Sequence, residues 1–120
     1  MGETSRRILL VEDDVDAAPF LEHVLLAAGF KVHRAASAAE ARSLLDSRSY
    51  ALVLTDLVLP DGSGLEIADA AKARGTPSIV ITGYAFRIRS EELARHDVLM
   101  KPVRPRELVD AVKRRLGAAE

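Results

Sequence analysis

The sequence has no cysteine, so disulfides and thiolate chemistry are both closed to it. It also has almost no net charge: 17 Lys and Arg against 18 Asp and Glu leave -1 at pH 7. That balance gives no electrostatic footprint for nucleic acid, and direct nucleic-acid binding is not expected. No apolar run approaches the roughly 20 residues of a membrane span, and the first residues lack a signal-peptide core. The expected compartment is therefore the cytoplasm, with no membrane contact. The histidines His23, His33 and His96 fall on three different predicted elements without metal-ligand spacing, which argues against a zinc site or a phosphohistidine. Gly62 and Gly64 do not complete a glycine-rich phosphate loop and read as turn residues.

What is present suits one compact domain. Hydrophobic residues make up 48% and charged residues 29% of 120 residues, a globular rather than a disordered composition. A chain of this length buries roughly two thirds of the surface it exposes when unfolded, so residues 1–120 are expected to form a single domain that folds alone. Apolar runs alternate with amphipathic stretches from end to end, the pattern of a parallel sheet covered by helices on both faces. Strands are predicted over 7–12, 31–35, 51–56, 77–82 and 97–100. The first, third and fourth are nearly continuous in Val, Ile and Leu, as central strands are, while the second and fifth are more polar, as edges are. The expected fold is α/β, a single flavodoxin-like (βα)5 three-layer sandwich with a parallel five-stranded sheet in order 2-1-3-4-5.

Between the strands, Phe20, Leu21, Val24, Leu25 and Ala28 form one helical stripe that ends at Gly29. Pro19 suits only a first turn, which places the start of regular helix near Ala18. Ser37 with Glu40 three residues later predicts a capping box and a second helix with Ala41, Leu44 and Leu45 inward. Residues 57–64, with Pro60, Asp61, Gly62 and Gly64, predict a turn, and a third helix comes next, from Leu65 to Ala73. Ser90 is the predicted cap of a short helix before the fifth strand. The last helix, from Pro105 to Leu116, carries Leu108, Val112 and Leu116 on one face and exits through Gly117. Lys113, Arg114 and Arg115 near its end complement the negative end of the helix dipole.

Charged residues sit where the apolar runs stop. Glu12, Asp13 and Asp14 come after Ile8-Leu9-Leu10-Val11, Asp56 ends the third strand, Thr82 the fourth, and Lys101 comes after the fifth. In a doubly wound sheet these positions meet beyond the carboxyl ends of the strands, in the crevice between the first and third. Carboxylates gathered there raise one another's pKa unless a cation compensates. Hard oxygen ligands of this kind suit Mg2+, and a metal beside a lysine suits phosphoryl transfer. Taken alone, Asp14 reads equally well as a helix cap.

Ile8-Leu9-Leu10-Val11-Glu12-Asp13-Asp14, Asp56 with Pro60 and Gly64 behind it, Thr82-Gly83 and Lys101-Pro102 together resemble the receiver domain of two-component response regulators, over essentially the whole chain. The resemblance implies that Asp56 accepts a phosphoryl group from a sensor histidine kinase or a histidine phosphotransfer protein. It implies further that Glu12, Asp13, Asp56 and the backbone carbonyl of Val58 hold Mg2+, Glu12 reaching the metal through water. Thr82 and Lys101 would each engage a phosphoryl oxygen. Many members of the family have Asp where this chain has Glu12, and Tyr or Phe where it has Val98. The segment before the fifth strand is also about a turn shorter than usual. With the usual aromatic missing, signalling is expected to reorder residues 83–96, with Tyr84 or Phe86 as the moving ring. Val58 and Tyr84, two residues after Asp56 and Thr82, stand where the family tunes hydrolysis of the acyl phosphate, and an apolar side chain and a ring there predict slow autodephosphorylation.

These residues admit three function classes. The first is a phosphorylation-dependent signalling module, standing alone or cut from a larger regulator or hybrid kinase, acting through 83–96, the fifth strand and the last helix. Its downstream partner is open, as is homodimerisation. The second is a phosphate-independent scaffold or dimerisation unit, disfavoured by the complete set Glu12, Asp13, Asp56, Thr82 and Lys101. The third is a turnover phosphatase, which would want a second acid near Asp56 where Val58 stands.

Overall fold

The structure, a computed structural model, describes residues 6–83, 91 and 95–117. Its strands are β1 (Arg7–Val11), β2 (Lys31–Ala35), β3 (Leu52–Asp56), β4 (Val58–Leu59), β5 (Gly62–Ser63), β6 (Ser78–Thr82) and β7 (Asp97–Met100). Five of them form one parallel sheet in the order β2-β1-β3-β6-β7, while β4 and β5 pair separately as a small antiparallel hairpin. Counting the sheet strands alone, this is the 2-1-3-4-5 order expected from the sequence. The described helices are α1 (Ala17–Ala27), α2 (Ala38–Ser47), α3 (Gly64–Ala73) and α4 (Pro105–Gly117).

Side-chain alternation along the strands separates two cores. Ile8, Leu10, Leu52, Leu54, Ile79 and Ile81 face one side, where Leu21, Leu25, Leu108 and Val112 of α1 and α4 cover them. Leu9, Val11 and Val53 face the other side, beneath Ala41 and Leu45 of α2 and Ile67 and Ala71 of α3. The middles of the central strands are apolar because both of their faces are covered. The edge strands β2 and β7 are only partly buried.

Helix ends obey local chemistry. Gly29 adopts φ +94°, and the N–H groups of Gly29 and Phe30 close onto Leu26 and Leu25, a Schellman stop. Gly75 ends α3 in the same way at φ +77°, a stop that the sequence pattern did not suggest. Pro19 lies within the first turn of α1, where its missing N–H leaves no intrahelical bond unmade. Ser37 Oγ accepts the Glu40 N–H at 3.1 Å, but Glu40 reaches back to the N–H of Ala36 at 2.8 Å rather than to Ser37. The full reciprocal capping box is at Ser63 and Glu66, opening α3. Residues 57–64 are thus a turn set inside a hairpin, and α3 begins one residue earlier than expected, at Gly64. Arg115 is held by Asp97 at 2.7 Å, which ties α4 to the edge strand as well as complementing its dipole. The expectations for Ser90, for a short helix there, and for Tyr84 and Phe86 lie outside the described residues.

Candidate functional site

The sheet delivers its charged residues to one end. Glu12 comes directly after β1 and stays in the ladder through its N–H to Ala35 O, 3.0 Å. Its side chain is thereby directed inward, and the residue is only 4% exposed. Asp56 ends β3 beside it, since Val11 and Thr55 are partners in the register. One carboxylate oxygen from each of Glu12, Asp13 and Asp56 lies within 4.8 Å of the others. Lys101 comes directly after β7, fixed by its N–H to Thr82 O at 3.0 Å. Its Nζ stands 3.3 Å from Asp56 Oδ2 and 3.5 Å from Glu12 Oε1. Thr82, buried at the end of β6, completes the rim one residue beyond the level of Asp56, whose partner is Ile81. The Lys101–Pro102 peptide is cis.

Protonation reflects this crowding. Glu12 is pushed up to about 8, first by burial and then by the Asp56 carboxyl, which can share a proton with it and repels it when both are charged; Lys101 pulls the other way. Partial burial works against the Lys101 charge, but the negative charges of Asp56 and Glu12 outweigh it and hold the ammonium above its ordinary pKa. Among the described residues, and as the side chains stand here, neither buried Glu12 carboxyl oxygen has a hydrogen-bond partner. Buried polar oxygens left in this way are costly unless something binds them. Hard oxygens converging from three carboxylates are the donor set a small divalent cation takes, so the residues present fit Mg2+.

Asp14 stands apart from this cluster. Its Oδ1 accepts the N–H groups of Asp16 and Ala17, each at 2.8 Å. The Ala17 bond, then the Asp16 bond, holds its carboxyl below the usual range. Of the two readings the sequence left open, the structure assigns Asp14 to turning the chain into α1. His33 and His96 are engaged elsewhere: His33 Nδ1 lies 2.9 Å from the Tyr50 hydroxyl, and His96 Nε2 lies 3.5 Å from Asp69.

The profile of the response regulator receiver domain family matches residues 8–113. The chain belongs to that family. A CheY-like receiver domain from Methanospirillum hungatei is 35% identical, with a TM-score of 0.86 and 94% of each chain covered. A response regulator structure from Chloroflexus aurantiacus is 30% identical, with a TM-score of 0.82, covering 93% of this chain and 98% of that one. The transcriptional regulatory protein SrrA of Staphylococcus aureus is 33% identical over 113 residues, 91% of this chain but 47% of SrrA. The chain thus spans about half the length of that curated relative. Receiver domains are signalling modules of two-component systems rather than turnover enzymes, and they generally bind Mg2+ at an acidic pocket.

Two features of this receiver were not apparent from its sequence. Gly64 is more than a turn residue: it lets the start of α3 press against the backbone of Asp56, where a Cβ would lie 1.9 Å from Asp56 O. Asp61 reaches across to α2 and accepts the N–H groups of Ala38 and Ala39 at 2.7 and 3.0 Å. The Ser63-x-x-Glu66 spacing was a readable sign of the capping box. Nothing in the sequence marks Asp61 as a cap for a different helix.

Proposed function

We propose that this receiver, residues 1–120 as one domain, is phosphorylated on Asp56 by a sensor histidine kinase or a histidine phosphotransfer protein. The observation that carries this reading is Lys101 Nζ, poised between Asp56 and Glu12 over three converging carboxylates. An Asp56 carboxylate oxygen attacks the phosphorus of the donor phosphohistidine. The P–O bond forms as the P–N bond breaks, and the departing imidazole keeps the electron pair and takes up a proton. Lys101 offers a fixed positive charge to one phosphoryl oxygen, and Thr82 offers a hydroxyl donor to another. Glu12, Asp13, Asp56 and the Val58 carbonyl are the groups that would hold Mg2+. When bound, Mg2+ offsets carboxylate repulsion and the charge that develops on the phosphoryl oxygens.

Phosphorylation brings a charge of about -1.5 to -2 and strong acceptor oxygens to the end of β3. The response is read through residues 83–96 and the face of β7 and α4, in the cytoplasm, by a protein partner or a second copy. Val98 takes the place of an aromatic on that face and packs beside Leu57, Ala68 and Val80. The acyl phosphate is long-lived because the Val58 side chain, 56% exposed at the rim of the site, offers water no polar group to orient it.

The test is transfer from a phosphorylated histidine phosphotransfer domain. Label passing to the wild-type chain and not to Asp56→Asn is the expected result. Transfer to both would move the acceptor elsewhere, and transfer to neither across a panel of donors would favour a phosphate-independent scaffold.

A further inference from the structure

We propose that Asp61 is a positioning residue for the metal site, pinning the tip of the hairpin that carries Val58 to the N-terminus of α2. This rests on the reading of the Asp56 crevice as a Mg2+ site. The hairpin joins Asp56 to α3 and consists of only two residue pairs, Val58 with Ser63 and Leu59 with Gly62. A two-stranded ribbon of that size is not stable by itself, so its geometry is set by what holds its two ends.

The base is held on α3. Gly64 N–H donates to Leu57 O at 2.6 Å, and Ser63 caps the helix through its Oγ, 3.1 Å from Leu65 N. The tip, Pro60 and Asp61, is exposed, and its anchor is Asp61. Each Asp61 carboxylate oxygen takes one N–H at the start of α2, where the helix dipole also favours a negative charge. The hairpin lies close against both helices: a Cβ on Gly62 would come within 2.9 Å of Glu66 Oε1 and 3.5 Å of Ala38 Cβ. A loop fixed at both ends loses little freedom when its carbonyl engages a metal, which is how preorganisation raises affinity. Asp61 touches neither the metal carboxylates nor Lys101; it acts through Val58.

A purely structural role, stabilising α2, makes different demands. Ser37 supplies the other side-chain cap of α2, through the Glu40 N–H within its own helix rather than through the hairpin. Ser37→Ala therefore loosens the same helix end while leaving the loop anchored. Mg2+ affinity by isothermal titration calorimetry and amide exchange at Val58 and Ser63, on the full chain, separate the two roles. Asp61→Ala should weaken Mg2+ binding about tenfold, the lower end of the loss seen when a group that orients a metal ligand is removed, and should speed exchange at both amides. Asp61→Asn retains an acceptor oxygen and should stay within about threefold of wild type, and Ser37→Ala should leave both readouts near wild type. Unchanged affinity and exchange in Asp61→Ala overturn the proposal. So does Asp61→Asn as weak as Asp61→Ala, which makes the effect one of charge, or Ser37→Ala as weak, which makes it one of α2 stability. A wild-type chain that binds no Mg2+ overturns the site reading and its consequence together, whereas normal wild-type binding with an indifferent Asp61→Ala overturns the anchor alone.

Discussion

Gly64 sits so close to Asp56 that a Cβ on it would lie 1.9 Å from the Asp56 carbonyl oxygen and 3.0 Å from Thr55 Oγ1. Thr55 Oγ1 itself donates to that same carbonyl at 2.9 Å. The start of α3 is therefore pressed onto the end of β3, and the backbone of Asp56 is held by packing from behind. Gly64→Ala forces backbone against backbone, which no rotamer change relieves. A loss of about 3 kcal/mol of stability, or failure to fold, is expected. Urea unfolding checks this; a loss below about 1 kcal/mol would contradict the close approach.

The raised pKa of Glu12 gives metal-free stability a distinctive pH dependence. A carboxyl that titrates near 8 when folded, against an ordinary value of 4.5, binds more protons in the native state than in the unfolded one between those values. Stability from this group is therefore full below about pH 4.5 and falls as pH rises toward 8, opposite in sign to a salt-bridged carboxylate. Metal-free unfolding monitored from about pH 5 to 8 should show that decline, and Glu12→Gln should flatten it. A wild-type curve that rises through the whole window, or one that Glu12→Gln leaves unaltered, would contradict the account.

Mg2+ binding requires the deprotonated carboxylates, so its affinity should strengthen over the same window and the stability gained from Mg2+ should be greatest at its alkaline end. Thermal melts with and without Mg2+ at about pH 6 and 8 check this. Equal shifts at the two pH values would separate Glu12 from the metal.

Lys101 is the charge that restrains Glu12 in the absence of metal. Lys101→Met should push the Glu12 titration higher still and steepen the alkaline loss of metal-free stability. NMR titration of the Glu12 carboxyl reads it directly; a titration moved toward acid would contradict the contact.

Val58 stands exposed two residues after Asp56, the proposed acceptor, where a polar side chain could orient water. Val58→Asn combined with Tyr84→Ala should shorten the lifetime of the phosphorylated state by about tenfold or more. A lifetime equal to wild type would place the control of hydrolysis elsewhere.

The strands were legible because both faces of β1, β3 and β6 are buried, which leaves continuous runs of Val, Ile and Leu that no polar alternation interrupts. Glu12, Asp56, Thr82 and Lys101 were legible for a related reason: each comes where such a run ends. Asp14 was ambiguous because a carboxylate that caps a turn and one that faces a metal look alike until their partners are seen. Asp61 and Gly64 owe their roles to α2 and to β3, elements reached only through the folded packing. A turn signal in the sequence can state that the chain reverses there, but not which helix end the turn will touch.

The most direct test of the central claim is intact mass after incubation with acetyl phosphate, with and without Mg2+, beside Asp56→Asn. The account expects one phosphoryl group added to the wild type, dependent on Mg2+, missing from Asp56→Asn and persisting for hours. An adduct of the same mass on Asp56→Asn, or one indifferent to Mg2+, would contradict it.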